Sequence, residues 1–274
     1  MDIVDTHAHI YAPDERRYPP IAKPNRPPGG KGSLKDLHAD MEANGVASAC
    51  IIQTSSFYRF DNRYILDSAK ATPEWTAGVC TLDPDDPQSP GLLGQHVRDY
   101  GVKGVRSNPA RDGRIDHPGV RALWKAAADA GVVINLHIQP KLAEQAEKLL
   151  GDFRSTPVVL DHTLYPKAGP QLPDILEAVR SLSRFENLHA KLSFMATGSQ
   201  KGYPCEDMHS ACQQVIYWFG PERCVWGSDF PCELWTPRVS YSEALRIFRE
   251  DLPLSVDARE KILGGTARRL WFRD

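Results

Sequence analysis

Five side chains of this 274-residue chain have the types and spacing to activate water: His7, His9, His137, His162 and Asp229. His7 and His9 stand two apart in Ile3-Val4-Asp5-Thr6-His7-Ala8-His9. Residues two apart on an extended strand project from one face. Asp5 has the same spacing and is expected on that face, where its carboxylate can orient an imidazole. His137 closes the run Ile134-Asn135-Leu136, His162 follows Val159-Leu160-Asp161, and Asp229 follows Val225-Trp226-Gly227-Ser228. Neutral imidazoles with a carboxylate suit Zn²⁺ and related divalent ions, provided one position stays open to water. Water bound there acidifies toward a pKa of about 7. A neighbouring carboxylate can take its proton and return it to a leaving group. Asp229 is the only carboxylate expected among the five.

These groups work together only if the chain ends several strands at one place. Short apolar runs predict strands at Ile3–His7, Ala49–Gln53, Thr76–Thr81, Val102–Arg106, Val132–His137, Val158–Asp161, Leu188–Ser193 and Cys224–Gly227. Helical spacing between them predicts Leu34–Asn44, Asn62–Ala71, Leu92–Tyr100, Val120–Ala130, Leu142–Gly151, Leu172–Ser183, Asp207–Phe219 and Ser242–Asp251. This alternation builds βαβ units and a parallel sheet. About eight units in one chain indicate an α/β fold, a single (β/α)8 barrel spanning residues 1–274. An open doubly wound sheet is the alternative, but no glycine-rich phosphate fingerprint follows the first strand. Three long connections, Tyr11–Gly32, Phe194–Glu206 and Phe230–Tyr241, follow strand ends. Barrel enzymes place substrate loops there, and the first is expected to form a lid. The stretch Asp257–Trp271 reads as a terminal helix pair broken at Gly264-Gly265.

The remaining histidines, at 38, 96, 117, 189 and 209, fall in helices, at a helix start or at the wrong end of a strand, and are expected to be structural or solvent-exposed. The basic residues near the mouth carry more chemistry. Arg106 ends the fourth predicted strand, and its planar guanidinium can grip a substrate carboxylate. Arg111, Tyr18 and Lys191 are expected to join it in binding substrate.

Composition narrows the function class. The chain is 41% hydrophobic and 25% charged, with a net charge of −2, so no basic field marks a nucleic-acid or anionic-membrane partner. No apolar run approaches the roughly 20 residues of a spanning helix. The N-terminus shows no secretory pattern, and the cysteines at 50, 80, 205, 212, 224 and 232 form no CxxC pair. The expected setting is cytoplasmic and the expected partner a small-molecule substrate. The oligomeric state is left open, a homo-oligomer included.

Asp5-Thr6-His7-Ala8-His9 resembles the opening DTHxH of the amidohydrolase-related branch of the amidohydrolase superfamily. Gly101-Val102-Lys103-Gly104-Val105-Arg106, Val159-Leu160-Asp161-His162, Lys191-Leu192-Ser193 and Trp226-Gly227-Ser228-Asp229-Phe230-Pro231 are similar to its 2-pyrone-4,6-dicarboxylate lactonases and sugar lactonases. The resemblance runs from Ile3 to Leu270. It implies water attack on a lactone carbonyl, with Asp229 as general base, His7, His9 and His162 as polarising groups, and Arg106 on a substrate carboxylate. Pyrone lactonases work without metal and lack a histidine at the end of strand five. His137 instead resembles the metal-binding members and implies one divalent ion, zinc by preference, on His7, His9, His137 and Asp229. Gly265-Thr266-Ala267 departs from relatives that carry asparagine there. The alternatives are a metal-dependent non-oxidative decarboxylase of the same superfamily and a barrel retained for binding alone.

Overall fold

Each short apolar run becomes one strand of a single sheet, and the strands pair in parallel in chain order. They are β1 (Ile3–His9), β2 (Val46–Ile52), β3 (Thr76–Thr81), β4 (Gly104–Ser107), β5 (Val133–Leu136), β6 (Val158–Leu160), β7 (Leu188–Leu192) and β8 (Cys224–Trp226). The computed structural model describes residues 2–235 and 237–273, with Glu233 by its backbone alone; Met1, Asp274 and Thr236 of the third long connection lie outside the described residues. The helices between strands are α1 (Leu34–Asn44), α2 (Ser55–Tyr58), α3 (Arg63–Ala71), α4 (Ser89–Tyr100), α5 (Pro118–Ala130), α6 (Ala143–Asp152), α7 (Leu172–Leu182), α8 (Met195–Gly198) and α9 (His209–Phe219). After β8 come α10 (Cys232–Trp235), α11 (Tyr241–Arg246), α12 (Val256–Glu260) and α13 (Thr266–Trp271). Local chemistry supports these starts. Ser33 accepts from the Asp36 amide, and the Asp36 carboxylate accepts from the Ser33 amide, a reciprocal cap on α1. The result is a (β/α)8 barrel.

The last two predicted helical segments differ in form. Ser242–Asp251 is not one regular helix: α11 passes into a π-helical turn over Ile247–Asp251. Gly264-Gly265 does not break the last segment, which runs from α12 through a π-helical turn at Lys261–Gly265 into α13. A Cβ on Gly264 would stand 2.0 Å from the Asp2 carbonyl oxygen, so its missing side chain admits the start of β1. Thr266 donates to the Glu222 carbonyl at 3.1 Å.

Period-two alternation divides the barrel interior into an apolar floor and a polar layer above it. Val4, Cys50, Ile52, Ala77, Val79, Val133, Val159 and Val225 form the floor, plugged from below by Ala267 and Trp271 of α13. Two residues further along β4, β5 and β6 stand Arg106, Asn135 and Asp161, all buried. On β1 the alternation fails. Its register against β2 slips by one residue between Asp5 and Ala8. With Val4 in the floor, the bulge turns His7 and His9 inward and leaves Asp5 on the other side. Asp5 therefore orients no imidazole. It accepts from the His7 amide at 3.0 Å, the Ser228 amide at 2.9 Å and the Ser228 hydroxyl at 2.6 Å, tying β1 to the chain after β8.

That seam closes the barrel. Asp229 N donates to His7 O at 2.9 Å and His9 N to Phe230 O at 2.8 Å. A Cβ on Gly227 would meet His7 Cβ at 2.7 Å, so only glycine lets the two segments approach this closely. Among the described residues no helix is long and apolar enough to cross a membrane, and no cysteine is in a disulfide. Gly227→Ala should force the seam apart and cost about 1–3 kcal/mol, read by urea denaturation. An unchanged midpoint would show that the seam yields without strain.

Candidate active site

The polar layer is organised around Asp161, a carboxylate with no solvent exposure. Lys191 Nζ approaches its Oδ1 at 2.8 Å, Asn135 Nδ2 the same oxygen at 3.1 Å, and Arg106 Nε its Oδ2 at 3.0 Å. His7 Nδ1 lies 3.7 Å away. Burial pushes the Asp161 carboxyl up, but Lys191, His7 and Arg106 outweigh it and hold the group well below the usual range. Asp229 is therefore not the only carboxylate here: an ionised one lies beneath it. Lys191 is itself fully buried, with its ammonium also 5.7 Å from the Trp271 ring centroid.

Above this layer the hydrogen bonds determine the tautomers of the paired histidines. His9 Nδ1 faces the Ile52 carbonyl at 3.0 Å, which only accepts, so His9 carries its proton there and Nε2 holds a lone pair. Lys191 Nζ stands 3.1 Å from His7 Nδ1 and can only donate, so the His7 proton is on Nε2, 3.3 Å from His9 Nε2. Asp229 Oδ1 lies 3.7 Å from His7 Nε2 and 3.9 Å from His9 Nε2. His162 Nδ1 meets the Ser193 hydroxyl at 2.9 Å. All four histidines are neutral at physiological pH. Burial, with Lys191 and His162 nearby, holds His7 well below its ordinary value. Burial and then Arg106 bring His9 and His137 each down to about 3, and burial dominates at His162. Asp229 goes the other way. Burial pushes its carboxyl up to about 7, with Arg106 opposing and Asp161 reinforcing.

Among the described residues, His7, His9 and Asp229 form a group whose ligand atoms lie within 4.8 Å of one another. The donor set, two neutral imidazoles and a carboxylate, is of the type that holds a divalent ion. His137 stands apart from that group. Its Nδ1 faces Asn108 Oδ1 at 2.7 Å and its Nε2 is hydrogen-bonded to the Tyr165 hydroxyl.

A cavity of about 330 Å³ opens over these groups at the C-terminal ends of the strands, lined by His9, Ser55, Ser56, Arg106, His137, His162, Tyr165, Thr197, Asp229 and Trp235. A larger hollow of about 520 Å³ at the opposite end of the barrel, beside Lys103, His189 and Trp271, contains none of the five groups. The family model for amidohydrolases matches residues 4–273. The chain belongs to the amidohydrolase family. It is 26% identical to an L-fucono-1,5-lactonase from Burkholderia ambifaria over 85% of this chain and 82% of the relative. It is 25% identical to a D-galactarolactone isomerase from Agrobacterium fabrum over 89% of this chain and 81% of that protein. A crystal structure from Pseudomonas putida, described as a 2-pyrone-4,6-dicarboxylic acid hydrolase, superposes with a TM-score of 0.80 at 26% identity, covering 98% of this chain and 97% of that one.

Three residues expected to bind substrate in this amidohydrolase lie elsewhere. Arg111 is exposed and donates to Asp83 at 2.6 Å. Tyr18 donates to Asp67 at 2.7 Å and packs with Tyr11, Phe57 and Tyr58. Lys191 is spent on Asp161 below the cavity. The Tyr11–Gly32 connection lines no part of the cavity and forms no lid over it. It braces α2 instead, through Ile21 N to Phe57 O at 2.8 Å and Asn25 N to Ser56 O at 3.1 Å, and α2 supplies Ser55 and Ser56. The residues absent from the sequence reading are Tyr165, Ser55, Ser56, Thr197 and Trp235, all from connections that follow strand ends, Thr197 and Trp235 from the second and third long ones. Ser193 and Asp161 could have been singled out from strand alternation alone.

The raised Asp229 carboxyl sets a direction for pH dependence. Without a cation, the folded protein binds this proton more tightly than the unfolded chain. The stabilisation is complete below about pH 4 and fades as pH rises through about 7. Wild type measured with chelator should therefore lose stability relative to Asp229→Asn between pH 4 and 8. A saturating divalent ion should reverse the sign, because it favours the carboxylate. A pH-independent difference would place the Asp229 pKa near its ordinary value.

Proposed function

We propose that this chain opens a lactone by adding water to its carbonyl, with Asp229 as the base. The observation that carries the reading is a buried carboxylate on the cavity wall with its pKa pushed up to about 7, sharing that wall with a guanidinium. A base poised near the working pH can take a proton from water and still release it. Arg106 keeps Nε on Asp161, and its terminal nitrogens, without a hydrogen-bond partner among the described residues, can meet the carbonyl oxygen as negative charge builds there. Water's oxygen bonds to the carbonyl carbon and its proton goes to Asp229. The ring C–O bond then breaks, and Asp229 returns the proton to the departing ring oxygen, leaving a hydroxy acid. His162, held by Ser193, and His9, held by Ile52, present neutral imidazoles that orient water and carbonyl.

A divalent ion, zinc in this reading, would be held by His7, His9 and Asp229 and would supply an acidified water and a polarised carbonyl. The relatives support the lactone class, since an L-fucono-1,5-lactone and a pyrone are both cyclic esters. The hydroxyls of Ser55, Ser56 and Thr197 on the cavity wall favour this reading over a decarboxylase, which needs a flat aromatic slot.

Asp229→Asn keeps the side-chain shape and removes its basicity, so kcat on a lactone panel should fall by about 10²–10⁴-fold. Metal content measured in parallel separates the base from the ligand. Near-normal turnover in this variant would remove Asp229 from the mechanism, and no turnover by wild type on any lactone would remove the reaction class.

A further inference from the structure

His137 and Tyr165 form a hydrogen-bonded pair on the cavity wall that the reaction above does not use. Asn108 Oδ1 can only accept, so His137 carries its single proton on Nδ1, 2.7 Å away. His137 is neutral, which leaves a lone pair on Nε2. The Tyr165 hydroxyl must therefore donate to it. With its proton committed, the Tyr165 oxygen can only accept from anything else in the cavity. The rest of the ring is fixed as firmly: it stacks on His162 with centroids 4.7 Å apart and planes 27° from parallel. The backbone beneath is costly. His162, Thr163, Leu164 and Tyr165 all have positive φ, between 48° and 63°. Side chains other than glycine rarely adopt this conformation, least of all the β-branched Thr163. Thr163 is held there by a 2.9 Å hydrogen bond from its hydroxyl to the Lys191 carbonyl. The fold thus stores strain in a loop whose end presents one phenol oxygen to the cavity.

We propose that His137 is a positioning residue and not a metal ligand: with Asn108 it fixes the Tyr165 oxygen as a hydrogen-bond acceptor that selects substrates carrying a hydroxyl beside the reacting carbonyl. The proposal rests on the lactone reading for its substrate and on the hydrogen-bond network for its residues. The cavity supplies the matching environment. Its wall carries one guanidinium, already shared with Asp161, and the hydroxyl residues Ser55, Ser56 and Thr197, so it can satisfy an uncharged hydroxylated ring better than a dicarboxylate.

The experiment compares wild type, Tyr165→Phe and His137→Ala on two probes, an aldonolactone and its analogue lacking the ring hydroxyl next to the carbonyl. Zinc content is measured after loading and dialysis. Tyr165→Phe removes only the acceptor oxygen, so kcat/KM on the hydroxylated lactone should fall about ten- to a hundredfold while the deoxy analogue changes little. Both variants should retain zinc as wild type does, whereas His7→Ala should lose it. Zinc loss in folded His137→Ala would overturn the positioning role, and equal losses on both lactones in Tyr165→Phe would overturn the acceptor role. If His137→Ala does not fold, Tyr165→Phe and His137→Gln carry the test. If wild type opens neither lactone, the lactone reading fails on its own. Calorimetric binding of the two probes then decides: a preference for the hydroxylated one that disappears in Tyr165→Phe supports the acceptor, and no difference overturns it.

Discussion

The charge of Asp161, sealed from water inside the barrel, is the constraint on which the site depends. An isolated carboxylate there would be prohibitively costly, and Lys191, Arg106 and Asn135 close on it from three other strands. Each partner acquires a second function from the arrangement. Lys191 also reaches His7 and directs its tautomer, and Arg106 is held on the cavity wall. Removing one partner of such a cluster typically costs about 3–5 kcal/mol, because a buried charge is left uncompensated. Binding geometry and stability are therefore coupled here, and substitutions of Lys191 or Arg106 act on both.

The same cluster keeps the imidazoles neutral. Two cations in a low-dielectric layer oppose a third positive charge, so burial and Coulomb repulsion both hold His7 and His9 deprotonated. That is the state in which an imidazole can accept a proton, orient water or bind an ion. Asp229 lies where the balance reverses: desolvated, with another carboxylate below it, it keeps its proton to about pH 7. One buried ion-pair cluster thus separates the titration of the histidines from that of the aspartate.

The barrel delivers these groups through a seam of few hydrogen bonds. The ladder between β1 and the chain after β8 is short, and Asp5 supplements it with two hydrogen bonds accepted from Ser228. The bulge on β1 that frees Asp5 for this task also turns His7 and His9 inward. Closure of the barrel and presentation of the histidines are consequences of one backbone irregularity.

Local pattern was enough to read the barrel from the sequence. Alternating strands and helices gave eight units, and α1 falls at Leu34–Asn44, where its helical spacing places it. The strand ends also revealed the histidines and Asp229, because period two is a property of the chain itself. Tertiary structure decided everything that depends on which strand ends meet. Asp5 was misplaced because a bulge breaks the alternation, and a bulge arises from pairing with β2 and closure on β8. Arg111 and Tyr18 were misplaced because a charged or phenolic group near a strand end finds a partner wherever one stands, here Asp83 and Asp67. Lys191 was placed on the right face of the barrel but at the wrong depth. Tyr165 could not be found from sequence at all: four consecutive left-handed residues have no compositional signature when none is glycine, and they persist only because the surrounding contacts outweigh their strain.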